Sequence, residues 1–87
     1  MRREIMQLLA NGSLSEQIAY MQAHGQSVLL NWGEDDNLWE CSWITGGERF
    51  TGLTNRSAEM AVRQCLQLVR DALSREATMT SGNCGLR

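Results

Sequence analysis

The chain contains no proline and no lysine, and it has a single histidine, His24. Without proline there is no rigid linker and no proline-dependent turn to divide it. With one histidine and three cysteines (Cys41, Cys65 and Cys84) at no metal-ligand spacing, neither a zinc site nor a base–nucleophile pair can be assembled from the usual residue types. No apolar run approaches the roughly 18–20 residues that span a bilayer. The N-terminal Met1-Arg2-Arg3-Glu4 lacks the apolar stretch of a signal peptide, so a cytoplasmic location with reduced thiols is expected. Cys41 and Cys65 read as small core residues, and Cys84 as an exposed one.

What is present describes a small domain. The 87 residues are 43% hydrophobic and 21% charged, too apolar for a disordered chain. Ten acids against eight bases, all arginine, leave a net charge of −2. That balance argues against a protein that coats nucleic acid or an anionic membrane.

Hydrophobic periodicity predicts an α+β fold: an N-terminal helical arm, a three-stranded antiparallel meander and a long C-terminal helix packed on it. Residues 2–10 place Ile5, Leu8 and Leu9 at helical spacing. Asn11-Gly12 ends that helix, since both residues tolerate a left-handed C-cap. Ser13-x-x-Glu16 is a capping box that opens a second helix with Leu14, Ile18 and Met21 on its apolar stripe, stopping near His24-Gly25. His24 is expected at the helix end, where a cation favours the terminal carbonyls.

The period then shortens to two. Residues 27–32 and 48–53 read as strands. Residues 38–45 alternate strictly, with Trp39, Cys41 and Trp43 on one face and Leu38, Glu40, Ser42 and Ile44 on the other. Gly46-Gly47 marks a tight hairpin. Residues 57–76 carry Ala58, Ala61, Val62, Cys65, Leu66, Val69, Ala72 and Leu73 on one helical face, with Asn55 or Ser57 as cap. A single domain over 1–76 and a flexible tail over 77–87 are expected.

The clustered functional signals lie on the first hairpin. Glu34-Asp35-Asp36 sits in its turn; it lacks the ligand spacing of a calcium loop and reads as a solvated tip or a partner contact. Trp32, Trp39 and Trp43 fall on the first two strands. Trp39 and Trp43 are assigned to the core, whereas Trp32 is equally consistent with core and interface. The expected partner-binding set is therefore Trp32, Glu34, Asp35, Asp36 and Glu40. No catalytic residue, metal or cofactor is expected. An open strand edge in the same region makes a homodimer the rival use of it.

The order of helix, three antiparallel strands and helix over residues 13–76 resembles that of double-stranded RNA-binding domains. The stretch Gly46 through Leu73 looks like the last hairpin and helix of that family. The resemblance implies nucleic-acid contacts, for which Arg49, Arg56, Arg63 and Arg70 are the candidates. The segment matching the family's basic cluster, Asn55-Arg56-Ser57-Ala58-Glu59-Met60, holds one arginine, one glutamate and no lysine, so direct nucleic-acid binding is not expected. The run Trp43 through Leu53 followed by an alanine-rich helix is similar in style to small inhibitor proteins of phage and mobile elements, including anti-CRISPR proteins. That resemblance implies a non-enzymatic protein that blocks a larger host protein or nucleoprotein complex by occupying a protein surface.

Overall fold

The computed structural model describes the backbone of residues 2–86 and the side chains of residues 2–75. Two short helices, α1 (Arg2–Asn11) and α2 (Leu14–His24), precede three strands, β1 (Ser27–Gly33), β2 (Leu38–Thr45) and β3 (Glu48–Thr54), and a last helix, α3 (Ala58–Leu86). The fold is α+β, as the periodicity requires. The helical backbone of α3 continues past the expected end at residue 76, with no proline to interrupt it. The flexibility expected of 77–87 and the exposure expected of Cys84 lie outside the described side chains.

The capping box forms at the start of α2. The Ser13 amide donates to Glu16 Oε1 at 3.0 Å, and the Glu16 amide donates to Ser13 Oγ at 3.2 Å. The bond from the Ser13 amide, and then the Ser13 hydroxyl, stabilise the charged carboxylate and hold the Glu16 pKa below its ordinary value. The end of α1 differs from the sequence expectation. Among the described residues only Asn37, Gly46 and Gly47 have positive φ, so neither Asn11 nor Gly12 makes a left-handed cap. The buried Gln17 serves instead: its Nε2 donates to the carbonyls of Leu8 at 3.0 Å and Gly12 at 3.4 Å, and so fixes the bend between the two helices.

The sheet runs in the order β1-β2-β3, antiparallel throughout. Val28, Trp43 and Phe50 share one cross-strand row, and Leu30, Cys41 and Gly52 another. These rows face the helices. Ile5, Leu9, Met21, Cys41, Trp43, Ala61, Val62, Cys65, Leu66 and Val69 form the buried core. Ser57 caps α3, its Oγ accepting from the Met60 amide at 3.2 Å. The two buried thiols of Cys41 and Cys65 are free and adjacent. The hydrogen bond shared with Cys41, and then burial, push the Cys65 pKa up, so it stays a protonated core group that donates to the Phe50 carbonyl at 3.3 Å.

Space demands glycine at several positions, Gly52 and Gly25 among them. A Cβ on Gly52 would overlap the Ala61 carbonyl oxygen, because α3 crosses β3 in direct backbone contact there. A Cβ on Gly25 would overlap the indole nitrogen of Trp43 and lie 2.7 Å from the Ile44 carbonyl. Gly25 has an extended backbone, φ −145°, so room for Trp43, not positive φ, is what demands glycine at the end of α2.

Candidate interaction surface

The first hairpin ends in a turn over Glu34–Asn37, closed by the Asn37 amide donating to the Gly33 carbonyl at 2.8 Å. Asn37 takes φ 54°, a conformation asparagine tolerates better than most residues. Glu34, Asp35 and Asp36 are all exposed. Among the described residues, no cation or hydrogen-bond donor of the chain engages their carboxylates. The tip therefore presents three consecutive unneutralised acids to solvent.

Trp32 and Trp39 pair across β1 and β2 at the base of this turn, ring centroids 5.2 Å apart. The three tryptophans form a gradient along the helix-facing side of the sheet. Trp43 is fully buried beneath the helices, Trp39 is half-buried, and Trp32 is 39% exposed. Position relative to α3 sets this order. The helix covers the rows of Trp43 and Cys41, whereas the row of Trp32, Trp39 and Thr54 lies at the end of the sheet next to the acidic turn. The choice that the sequence left open for Trp32 thus resolves to a partly exposed ring beside three carboxylates.

Glu40 is separated from this group. It pairs with Asn31 and Leu53 in a row that faces away from the helices, so its side chain lies on the opposite face of the sheet from Trp32. The structure brings together Trp32, Glu34, Asp35 and Asp36 and sets Glu40 apart.

The four candidate arginines are dispersed. Arg49 lies on the outer sheet face beside Ile44, Arg56 in the loop before α3, and Arg63 and Arg70 on α3 in the other layer. Arg70 is engaged by its neighbour Asp71, whose Oδ1 accepts from Nε and Nη2 at 3.3 Å each. No single surface collects all four.

Sequence reasoning also missed two side-chain groupings. The outer face of the sheet carries Leu29, Leu38, Ile44 and Leu53 among polar residues, and Leu29 and Leu53 are about half exposed (49% and 52%). The period-two rule applied to β1 and β3, as it was to β2, contains that information. The second is a Tyr20–His24 stack with ring centroids 4.1 Å apart, in which His24 Nδ1 donates to the Tyr20 carbonyl at 3.0 Å. Its signal is the i, i+4 spacing. Tyr20 also meets Trp43 edge-on at 6.3 Å, and burial raises the pKa of its phenol.

Among the described residues, no group of three or more His, Cys, Asp or Glu side chains is placed to hold a metal ion. No described helix is long and apolar enough to cross a membrane. Two depressions, of about 320 and 600 Å³, lie on the N-terminal helices and are shallow. Comparison of the chain with protein-family models, with curated proteins and with solved structures finds no match.

Proposed function

We propose that this protein is a non-enzymatic binding module that occupies a surface of a larger protein or nucleoprotein assembly and thereby inhibits it, in the manner of the small phage and mobile-element inhibitors it resembles. The observation that carries this reading is the first hairpin: three exposed carboxylates without internal partners beside a partly exposed tryptophan. Such a tip suits an arginine- or lysine-rich surface of the kind a target uses to hold nucleic acid. The charges would mainly speed encounter, and burial of Trp32 would mainly slow release. Glu40 drops out of this contact because it lies on the other sheet face.

The test is capture of the partner from the native host, with and without nuclease, by wild type and by the variant Glu34→Ala, Asp35→Ala, Asp36→Ala. The variant is expected to fold normally, because these side chains make no internal contacts of note. It should bind its partner at least about tenfold more weakly, with the loss concentrated in the association rate at low salt. Equal capture by wild type and variant would sink the acidic-tip reading and turn attention to the outer face of α3.

The element order shared with double-stranded RNA-binding domains motivates a separate measurement. The dispersed arginines and the net charge of −2 predict no gel shift of duplex RNA or DNA by submicromolar protein at physiological ionic strength, about 0.15 M. A tight shift weakened by Arg56→Ala and Arg63→Ala would overturn that expectation.

A further inference from the structure

The two edges of the sheet are treated differently. On β3, Gln64 of α3 reaches the free edge and its Oε1 accepts from the Leu53 amide at 3.1 Å. That strand also carries the charged pair Glu48 and Arg49 and lies in direct backbone contact with α3 at Gly52. Charge and side-chain cover are the usual means of blunting an edge strand. β1 has neither. Its seven residues, SVLLNWG, include no charge and no proline. Among the described residues, no side chain hydrogen-bonds to its outer edge. Two of the exposed large apolar residues, Leu29 and Trp32, lie on this one strand, one on each face.

We propose that β1 pairs antiparallel with β1 of a second copy of this chain, joining two three-stranded sheets into one continuous sheet. This goes beyond the inhibitor reading and does not depend on it. An edge of alternating N–H and C=O groups is complementary to another extended backbone, and an uncharged β1 opposes itself with no like-charge contact. Charge at the strand ends selects the antiparallel sense. Antiparallel pairing sends the two acidic tips to opposite ends, roughly 20 Å apart at about 3.4 Å per residue, which exceeds the screening length of about 8–10 Å. Each tip then lies beside the neighbour's His24-Gly25-Gln26-Ser27, a stretch without acids. Parallel pairing would instead put six carboxylates side by side. Leu29 and Trp32 would each gain a flanking side chain from the facing strand.

A strand pair is a small interface, so association should depend on concentration. Sedimentation equilibrium in reducing buffer, which excludes a disulfide through Cys84, should show the mass rising from 9.8 kDa towards twice that value as concentration increases. Leu29→Lys and Asn31→Lys place cations on exposed positions of β1 and should retain the wild-type melt. Each should weaken self-association at least about tenfold, because a cation on the edge disfavours strand addition and the two introduced lysines become diagonal like-charged neighbours in the pair. In wild type, amide exchange in β1 should slow with protein concentration while exchange in β3 does not. A strictly monomeric wild type at about millimolar concentration, a dimer indifferent to both substitutions, or a dimer with unprotected β1 amides would each overturn the proposal. Because the assay contains no other partner, its failure leaves the inhibitor reading standing, and the reverse also holds.

Discussion

A Gly52→Val chain is expected to lose its cooperative thermal transition, and Gly52→Ala to melt well below wild type. A Cβ at position 52 would overlap the Ala61 carbonyl, lie 2.8 Å from the Cys65 amide nitrogen and 2.9 Å from the Gln64 Cβ. The first two are backbone atoms of α3, so no rotamer change relieves the clash. The helix must lift from β3, which opens a gap beneath Val62, Cys65 and Leu66 and strains the Leu53–Gln64 hydrogen bond. Overpacking of a well-packed core costs about 1–3 kcal/mol, and a clash with backbone that no rotamer change relieves belongs at or above the top of that range. A domain of this size has a total stability of about 4–13 kcal/mol at about 0.05–0.15 kcal/mol per residue, so the valine variant approaches the limit of folding. Urea denaturation followed by circular dichroism provides the measurement. A Gly52→Ala midpoint equal to wild type would mean that α3 does not cross β3 in backbone contact.

Val69→Asp is expected to be as damaging, through charge rather than volume. Val69 is 2% exposed and lines a small cavity of about 100 Å³ with Phe50, Ala72, Leu73 and Glu48. A carboxylate there would be desolvated, would face a second acid in Glu48, and would find its neighbouring cation Arg70 engaged with Asp71. An unpaired buried charge costs about 3–5 kcal/mol. The sign of the pH dependence follows from linkage. Burial raises the folded-state pKa of the new carboxyl above its unfolded value of about 3.9, so the folded variant binds the proton more tightly. Its deficit relative to wild type should therefore be smallest below that value and grow as the pH rises through the folded-state pKa. Val69→Ala supplies the control, since it removes packing with no such pH dependence. A cooperative, near-wild-type melt of Val69→Asp at neutral pH would refute the placement of this residue in the core.

These expectations rest on different kinds of information. Val69 was legible as a core residue because Ala61, Val62, Cys65, Leu66 and Val69 recur at the helical period, and the structure buries all five. The face assignment of Trp39, Cys41 and Trp43 was legible for the same reason, since a strand sends alternate residues to opposite sides. Gly52 was not legible: a glycine inside a strand signals a close approach of some kind, but nothing in its neighbours names the helix carbonyl that approaches it. Gln17 was missed because a polar residue on a helix is ordinarily solvated, and only the bend of α1 against α2 makes its amide a buried partner for two carbonyls.

The surface divides along the same line. Local chemistry by itself determined the three consecutive carboxylates in a turn, the tryptophan beside them and the charge-free composition of β1, because each is a property of contiguous residues. The tertiary structure alone decided that Glu40 faces away from Trp32, that the arginines fall in different layers, that Trp43 is buried while Trp32 is not, and that α3 covers the edge of β3 and leaves that of β1 open. The register of β1 on β2 sets the first of those outcomes, and the burial of Trp43 and the unequal edges depend on where α3 crosses the sheet. The Gly52 contact sets that crossing between residues far apart in the chain, and no periodicity within a single element encodes it.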